Sequence, residues 1–159
     1  MNFTHLDSDG RAQMVDTSAK PVTRRTAIAR SVVVLPDNVL AELAHGDELR
    51  SPKGSVFQTA ILAGIMAAKK TGDLIPLCHP LGLDNCQIEI HLDEKQQVVI
   101  DCTAVVTAKT GVEMEALVGA SIAALAVYDM CKALSHDIVI QETKLMAKTG
   151  GKRDFHRTS

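Results

Sequence analysis

The sequence predicts an α+β domain in which an antiparallel sheet is packed against helices. An apolar helix of some four turns fills the stretch from Lys109 to Lys132. β-branched or alternating segments around Val33, Ile90 and Ile100 read as strands. Their order along the chain is β-α-α-β-β-α-β. With one helix set aside, this is a ferredoxin-like split β-α-β sandwich with an antiparallel sheet and an extra helix. A length of 159 residues suits one such domain.

Residues 1–24 are polar and carry Gly10 and Pro21, the composition of a mobile N-terminal arm. From Thr26 to Leu35 the run Val32-Val33-Val34 predicts a strand. Pro36 and Asp37 then open a short helix through Ala44, stopped near Gly46. A second helix spans Ser55 to Thr71, with Phe57, Ile61, Ile65 and Ala68 on one face and Gly72 as its stop. Between Gln87 and Leu92, Ile88, Ile90 and Leu92 alternate with Glu89 and His91, the pattern of a half-buried strand. A turn over Asp93 to Gln97 leads to its hairpin partner, Val98 to Val106. Asp137 to Leu145 returns as the last strand. Residues 25–148 are therefore expected as a single α+β domain. Residues 149–159 are expected as a basic flexible tail, where Lys152, Arg153 and Arg157 face only Asp154.

Composition removes several classes of function. Hydrophobic residues make up 46% and charged ones 23%, ordinary for a globular chain. Three Phe, one Tyr and no Trp leave no platform for stacking single-stranded nucleic acid. A formal net charge of -2 gives no support for nucleic-acid binding. No apolar stretch is expected to span a bilayer, and the N-terminus has no secretory signal pattern. Cys78, Cys86, Cys102 and Cys131 lack metal-motif spacing and read as reduced thiols. A cytoplasmic enzyme or binding protein, with no metal site of its own, fits these bounds.

The long helix holds the strongest chemical signal. Thr110 followed by Glu113 fits a capping box, and alanine, leucine and isoleucine then fill the body. Glu115 near the start and Asp129 and Lys132 near the end are charges on an otherwise apolar helix, costly unless paired or used. A helix N-terminus is expected to keep Glu115 anionic. Asp129 and Lys132 are three apart and can touch, and their apolar neighbours predict a partly dry pair able to exchange protons. Glu115 and Asp129 lie on nearly one stripe, roughly 21 Å apart along the axis. One small substrate cannot bridge that distance. A second copy packed antiparallel would bring one end to the other, so the sequence predicts composite sites in a homo-oligomer.

Other segments add candidates. In Asp73 to Pro80, DLIPLCHP, two prolines hold Leu77, Cys78 and His79 in a rigid connector suited to proton transfer or phosphate contact. Lys53-Gly54-Ser55 sets a lysine beside the free donors of a helix start. Lys109-Thr110-Gly111 is a weak phosphate-loop signal. Lys148-Thr149-Gly150-Gly151-Lys152 joins cations to flexible backbone that could close over phosphates.

Taken together these segments resemble the MoaC family of molybdenum cofactor biosynthesis. The resemblance rests on Met14-Val15-Asp16 followed by Ser18-Ala19-Lys20, on Lys53-Gly54, on DLIPLCHPL, on KTGVEMEAL, on AVYDMCKA and on AKTGGK. It implies that residues 25–148 are catalytic. The reaction it implies converts 3',8-cyclo-7,8-dihydro-GTP to cyclic pyranopterin monophosphate with loss of pyrophosphate. It further implies Asp129 and Lys132 as the acid/base pair, joined by Lys53, with His79, Glu113 and Glu115 on the ring or relaying protons. By the same resemblance Leu77, Cys78 and Met114 line the pocket, while Arg25 and Lys148 face the phosphates. It implies a hexamer, a trimer of dimers with sites at the dimer interface. No cofactor held by the protein is implied, and whether Mg²⁺ rides in on the triphosphate stays open. Two rival classes stand beside it: a non-catalytic nucleotide- or pterin-binding module, and a metal-dependent cyclohydrolase.

Overall fold

The structure, a computed structural model, describes residues 5–45 and 48–158, with His45 described by its backbone alone. The first strand, β1 (Thr23–Val34), forms three residues earlier than the expected Thr26, inside the stretch expected as an arm, and ends one residue before Leu35. It leads through α1 (Asp37–Leu43) into three short strands, β2 (Ala44–His45), β3 (Glu48–Ser51) and β4 (Gly54–Ser55). Periodicity could not reveal these, because each is too short to show an alternation. Gly46, the expected stop of the first helix, lies outside the described residues.

Helix α2 (Val56–Ala68) begins on Ser55, whose hydroxyl accepts from the Gln58 amide at 3.1 Å. It ends three residues before the expected Thr71. A further turn, α3 (Thr71–Leu74), follows, so the Asp73–Pro80 connector starts helical rather than irregular throughout. The hairpin of β5 (Asn85–Leu92) and β6 (Val98–Ala108) closes on Asp93, whose carboxylate accepts from the amides of Lys95 and Gln97. After α4 (Glu113–Cys131) the chain returns as β7 (Val139–Thr149), four residues longer at its end than expected. Inside the segment expected as a flexible tail, β8 (Phe155–His156) pairs with β7.

The main sheet runs β5-β6-β1-β7-β8, every pairing antiparallel. Strand β6 lies between β1 and β5, so the β-α-β unit is split as the element order predicted. Both long helices cover one face of this sheet, over Ala27, Ala29, Val33, Ile100, Cys102 and Ala104. Burying each larger aliphatic side chain contributes about 1.5–3 kcal/mol.

Small residues on α4 let the helices approach. A Cβ on Gly119 would stand 2.6 Å from the Cys102 sulfur, and one on Gly64 of α2 would stand 2.7 Å from the Gly119 carbonyl. The alanine-rich stripe Ala116, Ala120, Ala123 and Ala124 is fully buried along the same seam. At 19 residues and mean hydropathy 1.5, α4 does reach membrane-spanning length, contrary to the sequence expectation. Its length serves the core, since it lies against α2 and four strands of the sheet.

Candidate active site

The expected site residues gather at the two ends of α4. At its N-terminal end the α3–β5 connector folds back and supplies Leu77, Cys78 and His79 to a cavity of about 590 Å³. Glu113, Met114 and Glu115 enter it from the first turn of α4, and Lys148 from β7. Arg25 lines an adjoining hollow of about 200 Å³ with Lys148 and Lys152, and the two spaces share Glu113.

Glu113 does not close a capping box. Val112 is the N-cap and makes no side-chain cap bond, and the Glu113 carboxylate instead accepts from the Lys148 ammonium at 2.8 Å. A long-range ion pair stands in place of the expected local cap. Burial pushes the Glu113 carboxyl up, but Lys148 and Arg25 outweigh it and hold the group below the usual carboxylate range. Arg25 spends two donors on backbone, giving hydrogen bonds to the carbonyls of Ala108 at 3.2 Å and Lys109 at 3.3 Å. It therefore ties β1 to the turn before Glu113 while leaving its charge at the smaller hollow.

Glu115 behaves contrary to the sequence expectation. It is 3% exposed, and burial, reinforced by the Glu113 charge, raises its pKa although the helix amides pull the other way. Its carboxyl is thus harder to ionise than an exposed one. Cys78 is likewise pushed up, first by burial and then by Glu115, so its thiol is a neutral wall and a poor nucleophile. His79 gives the Nε2 proton to the Val15 carbonyl at 2.7 Å. A carbonyl can only accept, so Nε2 carries hydrogen and Nδ1 is the nitrogen left to exchange a proton.

At the other end of α4, Asp129 accepts from Lys132 at 2.8 Å and from Lys53 at 3.3 Å. The β3–β4 turn delivers Lys53, with Gly54 at φ +113°. Ser55 uses the α2 N-terminus for its own cap, so Lys53 serves Asp129 rather than an anion at the helix start. The pair is not dry: side-chain exposures are 55% for Asp129, 49% for Lys132 and 57% for Lys53. Lys132 and then Lys53 hold the Asp129 carboxyl low, and Asp129 raises Lys132. A nearby hollow of about 200 Å³ is lined by Met130, Ala133 and Leu134 and includes none of the three.

Within one chain, then, eight expected residues converge on the first pair of spaces and three stand apart. The sequence reading gave no role to the arm, yet Val15, Thr17 and Lys20 line the larger cavity. The Met14-Val15-Asp16 and Ser18-Ala19-Lys20 motifs were the available signal. Among the described residues no three His, Cys, Asp or Glu side chains gather as a metal site.

Residues 14–151 match the family model described as the MoaC family. The chain is 55% identical over 153 residues to a cyclic pyranopterin monophosphate synthase of Xanthomonas campestris pv. campestris (strain 8004), covering 96% of this chain and 92% of that protein. A synthase of the same name from Brevibacillus brevis is 48% identical over 156 residues, covering 98% and 96%. A molybdenum cofactor biosynthesis bifunctional protein of Synechocystis is 46% identical over 160 residues, which is 98% of this chain but 46% of that protein. The matched span contains both ends of α4 and the arm from Met14 onward, and on that ground the chain belongs to the MoaC family.

Proposed function

We propose that this chain is a cyclic pyranopterin monophosphate synthase of molybdenum cofactor biosynthesis. Family membership and near full-length similarity to proteins of that name support the activity. The observation that carries the mechanism is the first turn of α4, where buried Glu115, its carboxyl pushed up, stands beside Glu113, held low by the lysine paired with it. Two carboxyl groups with separated pKa values divide acid and base roles.

The substrate is 3',8-cyclo-7,8-dihydro-GTP, whose purine-derived ring is hydrolysed and rebuilt as a pterin. Glu115 donates a proton to the ring, and His79 Nδ1 exchanges another. Leu77, Cys78 and Met114 exclude water around it. A ribose-derived hydroxyl then attacks the α-phosphorus, forming one P–O bond as the bond to pyrophosphate breaks. Arg25 and Lys148 offset the charge of the departing phosphates. Any Mg²⁺ arrives with the triphosphate.

Asp129, Lys132 and Lys53 complete the site from a second copy. Roughly 21 Å of helix separates Glu115 from Asp129, so an antiparallel partner is the direct way to join them. Exposed Leu62, Met66, Met114 and Leu125 on α2 and α4 give that partner an apolar surface. The assembly is a hexamer, a trimer of dimers with the site at the dimer interface, working in the cytoplasm with free thiols. Purified protein given the cyclised GTP derivative should release pyrophosphate and form a product oxidisable to a fluorescent pterin. No product from folded protein and authentic substrate would refute this reading.

A further inference from the structure

The arm meets the cavity as a discrete strap. Val15, Thr17 and Lys20 line the cavity, while Asp16 and Ser18 between them are exposed. Asp16 fixes the bend by accepting from the Ser18 amide at 2.8 Å and the Ser18 hydroxyl at 2.6 Å. The Lys20 amide closes a second turn on the Thr17 carbonyl at 3.0 Å. Residues 14–20 join no strand of the sheet.

Two side chains from different elements hold this strap in place. His79 on the connector donates to the Val15 carbonyl at 2.7 Å. Lys109, on the turn between β6 and α4, donates from its ammonium to the Ser18 carbonyl, also at 2.7 Å. Hydrogen bonds from a charged donor are about twice as strong as neutral ones, so Lys109 is the firmer latch.

Charge around the cavity is unevenly spent. Lys148 is neutralised by Glu113, and Arg25 donates to two backbone carbonyls. Lys20 forms no ion pair among the described residues, although it is half-buried at the cavity wall. An unneutralised ammonium partly withdrawn from water is suited to a polyanion. We propose that residues 14–20 strap the mouth of the cavity, that Lys109 positions the strap, and that Lys20 thereby reaches a phosphate oxygen of the ligand. The choice of phosphate rests on the reaction assigned above. The latch itself does not.

Hydrogen exchange and kinetics test the two parts separately. In the wild-type protein, saturating inorganic pyrophosphate should slow exchange of the amides in residues 14–20. Lys20→Met should abolish that slowing while leaving exchange of the free protein within about twofold. Lys109→Met should speed strap exchange about tenfold without pyrophosphate, the effect of losing one charge-assisted bond. Lys109→Arg, which keeps a cationic donor, should restore slow exchange. With the cyclised GTP derivative, each Met variant should raise KM about tenfold and change kcat less than about threefold. The double variant should be no worse than Lys20→Met alone, since both act through one contact. Wild-type exchange in Lys109→Met, or undiminished protection in Lys20→Met, overturns the inference. So does a double variant whose KM effects multiply. A wild-type protein without turnover refutes the proposed reaction, and the exchange arms then decide the strap alone.

Discussion

The two ends of α4 both carry carboxylates, and the fold treats them in opposite ways. At the first turn Glu115 is 3% exposed and burial raises its pKa. At the last turn Asp129 is 55% exposed, and Lys132 and Lys53 hold it low. The helix dipole favours the reverse at each end, stabilising anions at the N-terminus and opposing them at the C-terminus. Desolvation overrides the dipole where the group is buried. Two nearby ammonium groups override it where the end is open. A helix end therefore does not set the protonation of its residues. What covers them, and which charges stand within reach, decides it.

The sharpest way to break this contrast is to remove charge at the open end. Asp129→Asn should lower turnover by about two powers of ten or more, the scale of lost acid–base help. Substrate binding should survive. Exposure of the pair predicts little change in folding stability, which a denaturant titration checks. Near-native turnover would make the cluster a surface ion pair and nothing more.

A second test asks whether the unlike ends meet across two copies. Glu115→Ala and Asp129→Ala, each inactive alone, can be mixed through unfolding and reassembly. Random pairing makes half the dimers mixed, each holding one intact and one doubly damaged site. Activity should then return to roughly a quarter of native if sites act independently. Mixed oligomers no more active than either parent would place each site within one chain.

The smallest effect is on stability. A carboxyl whose pKa is raised by folding favours the folded state while protonated. That advantage is lost as pH rises from the ordinary carboxylate range through the raised value. Glu115→Gln keeps the shape and cannot ionise. Its melting temperature should match the wild type at acid pH and exceed it at neutral pH, while activity falls. Parallel melting curves across that range would show that burial does not raise the Glu115 carboxyl.

The longer strands, the main hairpin, the apolar helix and the charges placed on it were legible in the sequence, whereas Arg25 and Met114 entered only through the family resemblance. The legible elements rest on hydrophobic period and on turn residues, which act over a few positions along the chain. Even the need for two separate clusters follows from helical rise between Glu115 and Asp129. What the tertiary structure alone decided depends on partners distant in sequence. Thr110 and Glu113 have the spacing of a capping box, but Lys148, 35 residues away, takes the Glu113 carboxylate. Lys53 has the place of an anion site, but Asp129 takes it. The short strands β2, β3 and β4 form because neighbours pair them, not because their own sequences alternate. The placement of Val15 and Lys20 against His79 crosses some sixty positions of chain, and no local pattern encodes it. Burial and long-range pairing set the state of each charge, and neither is a property of a residue's sequence neighbours.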